Sequence, residues 1–344
     1  MNRRLDKDTL SRRTVDEITG SRRMRRNRKA DWTRRLVQEN TLTANDLIWP
    51  LFLIPGENRS EDIDAMPGVQ RFTPDLAVRQ AEKAAELGIP AIATFPNIAR
   101  ELRDQTGSNI LAADNLINQA TRLIKKEVPE IGVITDVALD PFTSHGHDGI
   151  LRDGIIVNDE TVAQLAEAAV LQAEAGADII APSDMMDGRI GAIRDALDAS
   201  GHSDVGIMSY ATKFASGFYG PYREAIGTGG LLKGDKRTYY VNPANTDEAV
   251  RDAALDVEEG ADMVMVKPGL PYLDIIWRLK ENFAMPTFAY QVSGEYSMIK
   301  AAGANGWIDG EAAMMESLVC LKRAGCDGIL TYFAADAARL LKAG

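Results

Sequence analysis

The segment ADMVMVKPG, residues 261–269, has the composition of a buried strand that ends on a charged side chain. The four residues before Lys267 are apolar, and Pro268 and Gly269 after it break the strand. An ammonium group at the end of an apolar strand is costly to bury, so its position there indicates a function. The preceding segment, NTDEAVRDAALDVEEG at 245–260, has a helical composition, so helix and strand together form one repeating unit.

The same unit, a short apolar strand followed by a helical stretch rich in Ala, Leu and Glu, recurs along most of the chain. Asn158 and Thr246 have the type and position of helix N-caps. Gly176, Gly260 and Gly325 lie where a helix should end before the next strand. The predicted strands are 46–54, 89–97, 132–140, 177–185, 204–214, 261–269, 286–295 and 326–334.

Continuous apolar strands that alternate with helices predict a parallel sheet covered by helices on its outer face. Eight such units in roughly 300 residues fit a (β/α)8 barrel better than an open doubly wound sheet. The glycine fingerprint of a dinucleotide-binding fold does not follow the first strand. We therefore predict an α/β fold, a (β/α)8 TIM barrel over 41–344 with an extended basic N-terminal arm over 1–40.

Composition and charge narrow the class of protein. The 45% hydrophobic and 26% charged residues are typical of a soluble globular protein. No apolar run approaches the roughly 20 residues that span a bilayer, and MNRRLDKDTL lacks an apolar signal core, so a cytoplasmic location is expected. Cys320 and Cys326 can form neither a disulfide framework nor a metal cluster. The net charge of −11 argues against nucleic acid as the main partner.

The N-terminal segment departs from this acidic average. Residues 1–35 contain SRRMRRNRK and two further arginine pairs. Such a segment could bind RNA or an acidic membrane, pack on the acidic body of another subunit, or remain a solvated tail. Trp32 and Leu36 near its end favour docking over solvation.

Two lysines end neighbouring strands. Lys213 lies in SYATKF at the end of the fifth predicted strand, and Lys267 ends the sixth. Because adjacent strands lie about 4.8 Å apart, the two ammonium groups should converge at the barrel mouth. Like charge and apolar walls both favour the neutral amine by lowering the pKa. A neutral lysine amine is the nucleophile that forms a Schiff base with a ketone.

Polar side chains also follow the other strands, where barrel enzymes build their active sites. Inward-facing acids and hydroxyls there could move protons, and long connections at 141–157 and 215–245 could act as lids. Arg223 and Lys236 in the second connection indicate a substrate with a carboxylate or phosphate group. The candidate mouth residues are Asp136, Asp140, Ser183, Asp184, Ser293 and Tyr332.

The segment DVALDPFTSHGHDG, residues 136–149, could bind a metal ion. It places Asp140, His145, His147 and Asp148 close together, and oxygen-rich ligation would suit magnesium better than zinc. A glycine-hinged lid held by hydrogen bonds explains the same residues equally well.

Four segments in combination resemble one family, the 5-aminolevulinate dehydratases or porphobilinogen synthases: MVKPG, SYATKFASGFYGP, APSDMMDGRI and QVSGEY. The resemblance runs from about ENTLTANDLIWPLFLIPG to the C-terminus. It implies a lyase of haem biosynthesis that condenses two 5-aminolevulinate molecules into porphobilinogen, with loss of two waters and without an organic cofactor. A class I Schiff-base aldolase, which needs only one lysine, is the alternative. A third hypothesis is an inert barrel recruited to RNA or membrane by its basic arm.

The resemblance also implies roles for individual residues. Lys267 would form the Schiff base with the substrate that becomes the propionate side, and Lys213 the one on the acetate side. Asp136 and Ser183 would belong to the polar wall around the amines. The carboxylates would be held by Arg223 and Lys236 for one substrate, and by Ser293 and Tyr332 for the other.

The chain departs from the zinc-dependent members, which carry three cysteines where this chain has Ala138, Asp140 and Asp148. A thiolate zinc site is therefore not expected, and the two aspartates resemble members that use magnesium or a monovalent cation, or no active-site metal. Asp252 matches the position of an allosteric magnesium ligand. Tyr240 stands at a lid position where glutamine is common. The resemblance further implies a homo-octamer built from dimers, in which the arm wraps a partner barrel.

Overall fold

The computed structural model describes residues 23–232 and 234–343. The chain divides after Thr41 into two compact units. In the first unit, a 3-10 turn over Met24–Arg28 is followed by helix α1, Asp31–Leu36. Its Trp32 side chain is exposed. The larger part of the predicted arm, residues 1–22, lies outside the described residues.

The second unit is built from alternating strands and helices. Its strands are β1 (Leu47–Leu53), β2 (Ser60–Asp62), β3 (Gln70–Phe72), β4 (Ala91–Pro96), β5 (Gly132–Val137), β6 (Ile150–Arg152), β7 (Ile155–Val157), β8 (Ile179–Pro182), β9 (Gly206–Lys213), β10 (Met263–Lys267), β11 (Thr287–Gln291) and β12 (Gly328–Thr331). Its helices are α2 (Pro74–Glu86), α3 (Leu116–Glu127), α4 (Asn158–Glu174), α5 (Arg189–Ala199), α6 (Gly220–Ala225), α7 (Asp247–Glu258), α8 (Leu273–Phe283), α9 (Ser293–Ala304), α10 (Gly310–Arg323) and α11 (Ala334–Ala343).

Eight parallel strands of the described chain close into a barrel, in the order β1-β4-β5-β8-β9-β10-β11-β12. The closure is made by β12 on β1, with Leu47 opposite Ile329. The predicted (β/α)8 fold is confirmed, and each predicted strand contains one barrel strand. Within the described ranges, every helix is too short or too polar to cross a lipid bilayer.

The unit that ends in Lys267 shows why the sequence folds in this way. Helix α7 buries Ala249 and Ala253 against the barrel, and its first turn carries acidic residues that suit a helix N-terminus. Gly260 adopts a φ of +104°, which turns the chain from the helix into β10. The buried strand then delivers Lys267 to the carboxyl end of the barrel.

Local details differ from the sequence prediction. Val157 is the N-cap of α4, and Asn158 is its first residue. The Asn158 amide instead donates to the carbonyl of Asp187 at 3.0 Å, which ties the helix to the next loop. Thr246 does occupy the N-cap position of α7, but its side chain makes no capping hydrogen bond. The predicted loop 141–157 contains the β6–β7 hairpin, which its short strands concealed.

Candidate active site

The two strand-end lysines lie directly opposite each other. Lys213 at the end of β9 pairs in register with Lys267 at the end of β10. Their exposures are only 4% and 3%, so both amines lie in the barrel interior. The convergence that was predicted from strand spacing is therefore confirmed as a structural fact.

Lys267 extends into a cage of tyrosine rings. Its Nζ lies 4.6 Å from the ring centre of Tyr290, 4.9 Å from that of Tyr222 and 5.0 Å from that of Tyr210. Ring faces attract an ammonium ion, but burial has the larger effect on the pKa of this amine. Burial, followed by the charge of Lys213, lowers the pKa of Lys267 to about 7. A large fraction of this amine is thus neutral near neutral pH.

Lys213 has a different environment, dominated by a carboxylate. Its Nζ donates to Oδ1 of Asp148 at 3.0 Å and to the carbonyl oxygen of Ser183. The ring of Tyr240 lies 4.5 Å from the same nitrogen. The two lysines therefore differ in their partners: Lys267 faces aromatic rings, whereas Lys213 faces a fixed negative charge.

Asp148 is the most heavily hydrogen-bonded carboxylate of the site. Besides Lys213, it accepts from Lys236 Nζ at 2.6 Å, Tyr239 OH at 3.0 Å and Tyr240 OH at 2.9 Å. Burial alone would raise its pKa, but the ammonium groups of Lys213 and Lys236 hold the pKa of Asp148 well below its usual range. Against the effect of burial, Asp148 and Asp140 in turn raise the pKa of Lys236.

These contacts decide whether a metal ion fits at Asp140 and Asp148. Lys236 Nζ lies between the two carboxylates, 3.4 Å from Asp140 Oδ2. His147 Nδ1 lies 2.9 Å from Tyr239 OH. Among the described residues, no group of three or more His, Cys, Asp or Glu is arranged to hold a metal ion. The arrangement does not fit an active-site metal, because ammonium groups already neutralise the carboxylates.

Asp136 lies near the end of β5, and Ser183 directly follows β8. Asp136 is 4% exposed, and its Oδ1 has no hydrogen-bond partner in the described structure. Burial, and then the charge of Asp140, raise the pKa of Asp136 to about 7, against the lowering effect of the Ser183 side chain. A carboxyl group with this pKa can both accept and release a proton near neutral pH.

The long connection after β9 covers the site. It contributes α6, with Arg223, and the later residues Lys236 and Tyr240, which line a cavity with both strand-end lysines. The volume of this cavity is about 30 Å³, which is room for one or two water molecules. We call this connection, residues 215–245, the lid.

Ser293 and Tyr332 lie on the Lys267 side of the site. The Tyr332 hydroxyl is 2.7 Å from that of Tyr290, whose ring faces Lys267. Ser293 Oγ accepts from the N–H of Tyr222 in α6 at 2.9 Å, so this hydroxyl contacts the lid. The geometry thus has two halves: Lys267 with Tyr332 and Ser293, and Lys213 with Lys236 and Asp148.

Asp252 lies apart from the paired lysines, on α7. It lines a separate cavity together with Glu248 and Asp256. Burial, followed by the charges of Glu248 and Asp256, raises its pKa to about 6. Asp184 lies in the loop after β8. Its Oδ1 accepts from the Met186 N–H at 2.7 Å, and its buried Oδ2 has no hydrogen-bond partner in the described part of the chain.

Comparison with known proteins identifies the family. The family model for delta-aminolevulinic acid dehydratase matches residues 21–340. The chain belongs to the delta-aminolevulinic acid dehydratase family. The delta-aminolevulinic acid dehydratase of Bradyrhizobium diazoefficiens is 64% identical over 93% of this chain and 91% of its own. The one from Rhodobacter capsulatus is 51% identical over 93% of this chain and 97% of its own.

A solved structure agrees with this assignment. The delta-aminolevulinic acid dehydratase (porphobilinogen synthase) of Toxoplasma gondii ME49, in complex with the reaction product porphobilinogen, superimposes with a TM-score of 0.91. The sequences are 44% identical, and the match covers 93% of this chain and 91% of the other.

Sequence reasoning missed several residues of this dehydratase site. The rings around Lys267 belong to Tyr210 on β9, Tyr290 on β11 and Tyr222 in the lid. The signal in the sequence was the presence of tyrosines near the ends of strands. The Asp148 contact with Tyr239 was also missed. Glu295, which is 1% exposed, is a further residue that sequence reasoning missed. The signal in the sequence is its position four residues after the end of β11, at the third residue of α9, where a glutamate often caps the helix.

Proposed function

We propose that the protein condenses two 5-aminolevulinate molecules into porphobilinogen with loss of two waters, as a lyase of tetrapyrrole biosynthesis. The observation that carries this proposal is the in-register pair of buried lysines, Lys213 and Lys267. An aldolase of the Schiff-base type needs one such amine, whereas joining two ketone substrates gives a role to both. Family membership supports the same reaction.

Lys267 would form the first imine, because its lowered pKa supplies a neutral amine. The amine attacks the ketone carbon, and the carbonyl oxygen leaves as water after it has been protonated. Asp136, with a pKa of about 7, is suited to provide and recover that proton. Ser183 would orient this acid from the neighbouring strand end.

Lys213 would form the imine with the second substrate. Its ammonium is paired with Asp148, so it must lose its proton before it can attack. Asp148 has four donors and stays ionised, which makes it an anchor for the lysines rather than a proton acceptor. Arriving substrate would draw Lys236 away, since its ammonium could then pair with the substrate carboxylate.

The remaining predicted residues would bind the substrate carboxylates. Arg223 and Lys236 on the lid would hold the carboxylate of one molecule through charge-assisted hydrogen bonds. Ser293 and Tyr332 would hold that of the other. Lid closure over two bound substrates would exclude the water that hydrolyses imines.

Metal binding, assembly and location belong to the same proposal. Magnesium, or a monovalent cation, would act away from the paired lysines. Asp252 is the proposed allosteric ligand, and water would complete the coordination of an ion held by a single carboxylate. The arm would wrap a partner barrel in a homo-octamer built from dimers. The protein would act in the cytoplasm, without nucleic-acid or membrane partners.

The deciding experiment is borohydride reduction of the protein with 5-aminolevulinate, followed by peptide mass spectrometry. We expect adducts on Lys267 and Lys213, and loss of porphobilinogen formation in Lys267→Met and in Lys213→Met. The control is Lys126→Met, an exposed lysine on α3, which should keep full activity. Full activity of Lys267→Met would sink the proposal. An adduct on one lysine alone, together with measurable cleavage of an aldol substrate, would favour the aldolase.

A further inference from the structure

A buried carboxylate, Glu295, joins the turn after β10 to the turn before α9. The side chain is 1% exposed and lies in the first turn of α9. Its Oε2 accepts from the N–H of Val292 at 2.7 Å and from that of Gly269 at 3.2 Å. Its Oε1 accepts from the N–H of Leu270 at 2.7 Å. Three backbone donors from two separate turns thus converge on one carboxylate.

Each of these turns carries a residue of the proposed site. Lys267 stands two residues before Gly269, and Ser293 directly follows Val292. The carbonyl oxygen of Lys267 is held from the opposite side, where it accepts from the N–H of Phe214 at 2.9 Å. The backbone around Lys267 is therefore held on one side by Phe214, the residue after β9, and on the other through Glu295.

Neither turn has room to shift. A Cβ on Gly269 would lie 3.0 Å from Leu321 Cδ2 and 3.2 Å from the carbonyl oxygen of Tyr290. A Cβ on Gly294 would lie 2.5 Å from the carbonyl oxygen of Phe218. Such close backbone approaches transmit a displacement of one turn to its neighbours.

Helix capping accounts for only part of this arrangement. The contact with Val292 is the usual reach of a glutamate in the first helical turn to the N-cap backbone. The contacts with Gly269 and Leu270, about 25 residues earlier in the chain, add nothing to the helix. They connect α9 to the strand that carries the nucleophile.

We propose that Glu295 is a positioning residue that sets the distance between the Lys267 amine and the Ser293 hydroxyl, and so selects substrates by chain length. This inference rests on the proposed function. In 5-aminolevulinate two methylene groups separate the ketone carbon from the carboxylate carbon. A fixed spacing of amine and hydroxyl accepts a 4-oxo acid of that length and disfavours an acid that is one methylene longer.

The test measures how well the site distinguishes chain lengths. Borohydride trapping on Lys267 is compared for 4-oxopentanoate, which is the substrate without its amino group, for 5-oxohexanoate, and for butanone, which has no carboxylate. In Glu295→Gln the amide nitrogen donates rather than accepts, so at least one of the three N–H groups loses its partner. We expect the preference for 4-oxopentanoate over 5-oxohexanoate to fall about tenfold, with butanone trapping retained.

Two further variants keep the test decisive. Gly269→Ala displaces the same turn by a steric clash instead of by the loss of a hydrogen bond. It should therefore reduce the preference for 4-oxopentanoate even if Glu295→Gln fails to fold. Asp262→Asn is the matched control, because Asp262 accepts from the N–H of Ile207 at 2.7 Å at the opposite end of β10. It should lower the melting temperature without changing the preference.

The outcomes separate this inference from the function on which it rests. If the unaltered protein forms no Lys267 adduct with 4-oxopentanoate, the proposed function fails. If it does, and both Glu295→Gln and Gly269→Ala keep the same preference, Glu295 only stabilises the fold and the inference is overturned.

Discussion

The Lys267 amine should lose its nucleophilicity with a midpoint near pH 7 when the protein is acidified. An ordinary lysine with a pKa of 10.5 is about 0.03% neutral at pH 7, whereas a pKa of about 7 leaves roughly half of the amine neutral. The burial of Lys267 therefore raises the concentration of nucleophile on the order of 1000-fold at this pH.

Competitive labelling with a trace of acetic anhydride over a pH series measures this titration. Peptide mass spectrometry follows Lys267, and the exposed Lys126 serves as the internal reference. Labelling of Lys267 should rise with a midpoint near pH 7, whereas labelling of Lys126, whose pKa is raised by Glu127, should still be rising above pH 10. Equal midpoints for the two lysines would refute the reasoning.

A second variant separates the causes of the shift. Burial is the largest cause and the charge of Lys213 the next, so Lys213→Met should move the Lys267 midpoint upward while leaving it below 10.5. A downward shift would contradict the assignment. The linkage has a definite sign: the folded pKa lies below the unfolded one, so this group makes the protein more stable as pH rises from about 7 to 10.5.

Three other perturbations test the remaining features of the site. Asp148→Asn removes the carboxylate partner of Lys213 and one of the two carboxylate partners of Lys236, and it should cost about 3–5 kcal/mol in urea unfolding at pH 7. Because the pKa of Asp148 is lowered by folding, this difference should shrink below about pH 4. Equal stability at pH 7 would contradict the anchor role. Gly294→Ala forces a Cβ to within 2.5 Å of the carbonyl oxygen of Phe218, a lid residue. It should cost about 1–3 kcal/mol and raise KM. Gly217→Ala in the lid adds a Cβ that meets no atom within 4 Å, so it should leave KM unchanged. Asp252→Asn should abolish any stimulation of activity by magnesium, and undiminished stimulation would remove the proposed ligand.

The barrel was predictable because the sequence pattern that specifies it, an apolar strand followed by a helix, is local and is repeated along the chain. The four apolar residues before Lys267 begin strand β10, and Gly176, Gly260 and Gly325 take the positive φ that ends a helix before a strand. The same periodicity placed Lys213 and Lys267 on neighbouring strands, and strand spacing alone predicted that they would lie side by side. Short elements within long connections, such as the β6–β7 hairpin, were missed because three-residue strands carry almost no periodic signal.

By itself, then, the sequence determined the barrel, the order of its strands and the pair of lysines at its mouth, since these follow from alternation and from the geometry of a parallel sheet. Only the tertiary structure decided what surrounds each amine. Tyr290 reaches Lys267, Tyr239 reaches Asp148, and Glu295 reaches Gly269. The physical reason is that hydrogen bonds and pKa values depend on side-chain directions and burial between residues distant in the chain, which no local pattern encodes.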